Sequence, residues 1–287
     1  MSQVAGIFFG HVAVQVELPD AAAEVMPGVA WGAVEAFPTP AYWAYQVLAR
    51  RVIGSTIRHR LGNSLHEEVV ACLLGGHGIP AEVGLAAFTL LRDRGALDDG
   101  ISLGALTEML SEPLQVGGRS IRYRFAAQKA RYVHEAMRRL AAERAPMASG
   151  RKLRDWLTDL PGIGLKTASW ITRNTLDADD VAILDIHILR AGALAGFFDP
   201  DLTVERHYRA LEDRFIEFSR CLQVRPSELD SVIWMEMKMS PASVSRLMDG
   251  RRSGVMTARP RSTHSARAAR PADKRRTNAD QAVLFIK

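Results

Sequence analysis

Leu160-Pro161-Gly162-Ile163-Gly164-Leu165-Lys166-Thr167-Ala168-Ser169, with Ile183-Leu184-Asp185-Ile186-His187 close behind it, is the stretch that orders the rest of the chain. The first run reads as a tight hairpin between two helices. Pro161 restricts the approach to the turn. Gly162 and Gly164 permit backbone conformations and close contacts that a side chain would obstruct. Lys166 then falls in the first turn of the second helix, and Asp185, nineteen residues on, stands just before another. A helix start offers unpaired N–H groups and a positive dipole end, which together suit a phosphate. Contacts of that type grip a nucleic-acid backbone without reading a base. An ordinary helix–helix corner would use the same turn.

Outward from there the pattern is mostly α, with about ten helices and no strong strand signal beyond the N-terminus. Helices are expected over residues 41–60, from the Ser64-Leu65-His66-Glu67 capping box to Leu74 ahead of Gly75-Gly76, from Pro80 to Arg94, and from Ser102 to Leu110. Phe125 to Ala145 is amphipathic, with Tyr132, Val133, Ala136 and Leu140 on one side and arginines on the other. Further helices are expected over 151–160, 165–175, 185–194 and 203–223, and one from Pro226 with a capping-box spacing from Ser227 to Asp230. Pro241 stops that helix, and a shorter polar segment reaches Gly250. Residues 1–40 read as an N-terminal extension with one short alternating strand at Val12, Val14 and Val16, broken by Pro19, Pro27, Pro38 and Pro40. Residues 41–250 make the folded domain. Residues 251–287, rich in Arg, Ala, Ser, Thr and Pro, read as a basic, disordered tail.

A chain of 287 residues holds one large domain or two small ones, and 47% hydrophobic residues are enough for a core. No apolar window of about eighteen residues is present, so no transmembrane helix and no membrane partner are expected. The N-terminus lacks a basic region ahead of its apolar stretch, which argues against a secretory signal. Cys72 and Cys221 are the two cysteines, far apart and outside any C-x-x-C unit. They cannot make a four-cysteine iron–sulfur cluster or a disulfide framework. A reducing, cytoplasmic setting fits them. The net charge of +5 is unevenly placed: residues 251–287 hold ten Lys/Arg against two acids, and 119–154 hold eleven against two. Residues 1–49 carry four acids and no Lys or Arg. Such asymmetry points to a polyanion partner, although a solvated helix face and a solubility tail would look the same.

Lys166 and Asp185 also form a chemical pair. An N-glycosidic bond breaks through an oxocarbenium-like transition state, as in glycoside hydrolysis, and a carboxylate beside the sugar stabilises that charge. A lysine amine, when neutral, can attack the anomeric carbon and leave a Schiff base. Burial and a nearby positive helix end favour the neutral form. Both residues have ordinary readings too. A lysine after a turn is usually solvated, and an aspartate before a helix is usually its cap.

Leu160 to Ser169 with Ala182-Ile183-Leu184-Asp185-Ile186-His187-Ile188-Leu189-Arg190 resembles the signature of the helix-hairpin-helix DNA glycosylase superfamily. Within it, the chain is most similar to the bacterial and archaeal 8-oxoguanine DNA glycosylases/AP lyases. Ile121-Arg122-Tyr123-Arg124-Phe125-Ala126-Ala127-Gln128-Lys129-Ala130-Arg131-Tyr132 resembles that branch's R-F-x-x-Q/N-K-A-x-Y element, and Leu229-Asp230-Ser231-Val232-Ile233-Trp234 its closing D-x-x-x-W helix. The likeness spans roughly residues 60–245 and leaves 1–40 and the tail unmatched. It departs after Trp234, where Met235-Glu236-Met237-Lys238-Met239 replaces the usual T-G-x-V pattern.

The resemblance implies a two-lobed helical bundle with a helix-hairpin-helix motif and a cleft between the lobes. It implies a bifunctional enzyme that flips and excises a damaged base, 8-oxoguanine first of all, and cleaves the abasic strand by β-elimination. Lys166 matches the Schiff-base nucleophile and Asp185 the catalytic carboxylate. Gly162 and Gly164 match the glycines that hold phosphate, often with a bound monovalent cation; no other cofactor is implied, and no metal at the catalytic pair. His187 matches a phosphate-contact position, with a plain helix-face histidine as the other reading. Arg122, Arg124 and Lys129 are expected to contact DNA. Trp234 and Phe125 are candidates for packing against an extruded base, with core packing the alternative for Trp234. The partner implied is double-stranded DNA with a damaged base, met by a monomer in a bacterial or archaeal nucleoid. Three rivals stand beside this reading: a glycosylase for another modified base, for example in phage defence; a non-catalytic helix-hairpin-helix DNA-binding protein; and an all-helical interaction protein without nucleic acid.

Removing residues 251–287 is expected to weaken duplex binding and flatten its salt dependence while single-turnover cleavage stays nearly unchanged. A salt titration of the shortened chain reads this directly, and an unaltered slope would dismiss the tail from binding.

Overall fold

A computed structural model describes residues 1–54, 60–76, 78–98 and 100–257. Among these residues the chain forms eleven helices and three two-stranded antiparallel sheets. The N-terminal segment holds more order than one short strand. β1 (Gln3–Phe9) pairs with β2 (Val12–Leu18), Ile7 facing Val14. Gly10, at φ 57°, takes the left-handed conformation that the tight reversal between them needs. β3 (Glu24–Met26) and β4 (Val29–Ala30) follow as a short irregular pair. Leu18, Met26, Val29, Trp31 and Val34 are all buried in the core beneath. Residues 1–40 therefore supply part of the core rather than trailing from it.

The helices begin and end largely where local chemistry places them. α1 (Pro40–Ile53) is capped by the Thr39 hydroxyl and closed by Gly54 in the left-handed region. It stops short of the expected 60, and residues 55–59 lie outside the described residues. α2 (Leu65–Leu74) takes its cap from Ser64 Oγ, which accepts from the Glu67 N–H at 3.2 Å. Glu67 reaches back one residue further than a capping box requires, to the Asn63 N–H. α3 (Ala81–Asp93) and α4 (Leu103–Ser111) follow. A hairpin absent from the sequence reading comes next: β5 (Pro113–Val116) and β6 (Arg119–Arg122), turned by Gly117 and Gly118 at φ 54° and 76°. Two successive positive-φ residues match the right-handed twist of the strands they join. Then come α5 (Ala126–Ala142), α6 (Gly150–Leu157), α7 (Leu165–Leu176), α8 (Ile186–Ala195), α9 (Val204–Cys221), α10 (Pro226–Met239) and α11 (Pro241–Thr257).

Two expectations change at the C-terminal end. α10 starts from Arg225, whose N–H donates to Glu228 Oε2 at 3.2 Å. Asp230 is buried and bonded to Arg173, so the Ser227–Asp230 spacing is not a capping box. α11 runs through Thr257, past Gly250 where the folded domain was expected to end. The rest of the basic tail lies outside the described residues. No helix among the described residues is long and apolar enough to cross a membrane.

Buried side chains fall into two clusters. The first gathers the N-terminal sheets with α1, α8, α9 and α10, around Trp43, Phe197, Phe215, Phe218 and Ile233. The Phe197 and Phe218 rings stack at 3.8 Å. The second gathers α2 to α7, around Val69, Phe88, Leu106, Val133, Leu153 and Ile171. Residues 177–185 pass from α7, in the second cluster, to α8, in the first. Phe215, fully buried against Phe197, should cost about 3–5 kcal/mol of stability when replaced by alanine. Chemical denaturation with the slope held common to both chains measures it.

Candidate active site

The hairpin between α6 and α7 is built by two glycines that serve different ends. Gly162 sits at φ 84°, and a Cβ placed there would lie 2.4 Å from the Tyr132 ring. Both conformation and space demand glycine. Gly164 is the N-cap of α7 in ordinary extended geometry, φ −94° and ψ 174°. No side chain caps the helix, and the space beside Gly164 is open. The first N–H groups of α7 thus face outward with no protein acceptor from the cap residue.

Lys166 stands in that first turn, and Asp185 is the N-cap of α8. Asp185 Oδ1 accepts from the His187 N–H at 2.8 Å and the Ile188 N–H at 3.1 Å. Its other oxygen, Oδ2, lies 3.8 Å from Lys166 Nζ. One oxygen thus serves the helix cap, and the other is left facing the amine. At 3.8 Å the amine and the acid attract without a hydrogen bond. Asp185 is 10% exposed and Lys166 36%, so the acid is fixed in the wall and the amine reaches out of it.

One pocket holds both. Trp170, Arg173, Ile183, Asp230 and Trp234 line it together with Lys166 and Asp185. Trp170 and Arg173 follow Lys166 by four and seven residues, the spacing of one helix face. That periodicity could have marked them in the sequence. Trp234, expected at the pocket, is there; the His187 ring meets it edge-on at 6.4 Å, and the Lys238 ammonium lies 4.5 Å from its ring centre. Asp230, four residues before Trp234, was taken for a cap.

Other expected residues are placed elsewhere. Lys129 spends its ammonium on the Leu73 and Gly75 carbonyls, at 2.5 and 2.9 Å, closing the C-terminal end of α2. Burial holds that ammonium below the usual lysine range. Lys129 thus serves as a structural cap on α2. Phe125 packs on the second cluster beneath the Arg124 guanidinium and is absent from the pocket walls. Arg122 and Arg124 are exposed on and just after β6. Cys72 packs against the second cluster and Cys221 against the first.

The family model described as 8-oxoguanine DNA glycosylase matches residues 55–224, a span that includes the hairpin, Lys166 and Asp185. The chain belongs to this family. Among characterised members, the 8-oxoguanine DNA glycosylase/AP lyase of Methanocaldococcus jannaschii is 27% identical over 191 residues, 62% of this chain and 83% of the relative. The crystal structure of the Methanocaldococcus jannaschii 8-oxoguanine DNA glycosylase superposes with a TM-score of 0.50 at 23% identity, covering 70% of this chain and 94% of that one. The 8-oxoguanine DNA glycosylase of Thermotoga maritima superposes at 0.51 and 23% identity, over 69% and 96%. These two likenesses establish the shared glycosylase fold. The family match begins after the N-terminal sheets and ends before Asp230 and Trp234, so the far wall of this glycosylase pocket lies beyond it.

The two hairpin glycines should respond differently to alanine. Gly162→Ala is expected to lower stability by about 1–3 kcal/mol through strain and the Tyr132 collision. Gly164→Ala should leave thermal unfolding unchanged and weaken duplex binding, because its Cβ would stand where a phosphate approaches. Paired melting and binding curves separate the two, and a destabilised Gly164→Ala would contradict this division.

Proposed function

We propose that this chain excises 8-oxoguanine from duplex DNA and then cleaves the abasic strand by β-elimination. The observation that carries the reading is the 3.8 Å approach of Lys166 Nζ to Asp185 Oδ2 in one pocket, beside a hairpin that leaves helix N–H groups open. DNA binds through phosphates to the N-terminus of α7 and to exposed arginines such as Arg122 and Arg124. The open backbone at Gly164 would hold a monovalent cation, which would supply positive charge toward a bound phosphate. The damaged nucleotide leaves the stack, at a cost of a few kcal/mol. Trp234 then offers a face against which an extruded base can lie.

Chemistry follows from the pair. The Lys166 amine, in its neutral form, attacks C1′ of the deoxyribose as the bond from C1′ to the base breaks. The bonding electrons leave with the base, which takes a proton. Asp185 stabilises the positive charge that develops on the sugar and receives the proton lost by the amine. Opening of the sugar ring leaves an imine between Lys166 and C1′. Loss of a C2′ proton then expels the 3′ phosphate, and water releases the sugar from the lysine. These steps call on no resident cofactor.

The Asp185 geometry also shapes the test. Asparagine at 185 keeps the Oδ1 acceptor for the α8 cap and loses only the charge that faces Lys166. Asp185→Asn should therefore bind duplex normally and release base slower by orders of magnitude; near-normal release would remove Asp185 from catalysis. Borohydride should trap a covalent adduct between the parent chain and 8-oxoguanine duplex. Lys166→Gln should abolish the adduct while retaining binding. An adduct that survives that change would put the nucleophile elsewhere, and no adduct in the parent would favour a purely DNA-binding protein.

A further inference from the structure

Residues 181–185 are buried, yet belong to no helix or sheet. Their backbone is met by three buried side chains. Glu212 on α9 accepts the Ala182 N–H at 3.0 Å through Oε1 and binds Arg154 through Oε2. Asp230 on α10 accepts the Ile183 N–H at 3.4 Å through Oδ2 and binds Arg173 through Oδ1. Between these, the Tyr208 hydroxyl donates to the Ala182 carbonyl at 2.8 Å and accepts the Leu184 N–H at 3.2 Å.

The two carboxylates share one arrangement. Each gives one oxygen to an arginine and the other to an amide just ahead of Asp185. The arginines come from the two helices of the hairpin, Arg154 from α6 and Arg173 from α7, the helix that also carries Lys166. Stability alone does not account for this. A buried ion pair is often no better than well-packed apolar side chains of the same volume. Apolar side chains, however, could not also hold the Ala182 and Ile183 amides. Burial pushes the Glu212 and Asp230 carboxyls up, and their arginines and backbone amides draw them back.

We infer that Glu212, Asp230 and Tyr208 are positioning residues for the reaction, holding the run 181–185 against the hairpin helices so that Asp185 keeps its distance from Lys166. The inference rests on the proposed glycosylase chemistry. A displacement of about 1 Å at a reacting group costs on the order of a hundredfold in rate. The network acts on that scale through the backbone ahead of Asp185.

The test compares the full-length parent with Tyr208→Phe and Asp230→Asn in single-turnover release of 8-oxoguanine from duplex, reading rate constant and amplitude separately. Duplex affinity is measured alongside. A lost positioning contact lowers the rate constant of every active molecule. A merely structural defect lowers the amplitude and the melting temperature. The expected result is a rate constant reduced about 10–100-fold, at full amplitude and with affinity within about twofold of the parent. Tyr208→Phe keeps the ring volume and decides the matter alone if Asp230→Asn does not fold. A variant rate constant within about twofold of an active parent overturns the inference. A parent that releases no base removes the reaction itself, and the inference with it.

Discussion

The run from Val181 to Asp185 is buried and belongs to no helix or sheet, so its amides and carbonyls must be met by side chains or left unpaired at a cost. That requirement explains why Glu212, Asp230 and Tyr208 sit in an otherwise apolar interior, and why two arginines follow the carboxylates inward. It also explains how a helix of the second cluster and a helix of the first come to present their N-terminal ends to one pocket. α7 brings Lys166, α8 brings Asp185, and the connection between them is fixed by bonds from α9 and α10. Apolar packing holds each cluster together. Charged groups bridge the elements of the two clusters that carry Lys166 and Asp185.

The hairpin applies the same economy. Gly162 is needed for its backbone angle and for the ring of Tyr132 behind it, while Gly164 is needed for the open space in front. One glycine shapes the turn and the other exposes a helix end. The run from Met235 to Met239, where the chain departs from the family pattern, lies outside the pocket walls. Here Met237 is buried in the first cluster and Glu236 binds Arg50 and Tyr42. Lys238 is the member of that run that lies over Trp234.

Much of this was legible along the chain because it is local. Helix starts at Ser64, Ser102 and Pro226, the break after Leu74 and the turn at Gly162 are written in neighbouring residues. The pairing of Lys166 with Asp185 could be suggested by their chemistry and strengthened by the family pattern, but nothing local brings two residues nineteen apart into contact. What escaped was set by distant partners. Asp230 looked like a cap until burial and Arg173 gave it another task. Lys129 looked like a cation for DNA until the open carbonyls of α2 took it up. Phe125 went to the nearest apolar cluster. The hairpin at Gly117-Gly118 was a local signal passed over between two strong helices, and the N-terminal sheets were obscured by their prolines although Trp31 and Val34 anchor them in the core.

Asp185 is gripped by two amides of its own helix, whereas Lys166 extends from an exposed turn on a flexible four-carbon stem. The two partners therefore differ in freedom as well as in charge. In the proposed reaction a deoxyribose joined to that amine would hang on a leash anchored in the backbone of α7, free to move while the acid stays fixed in its cap.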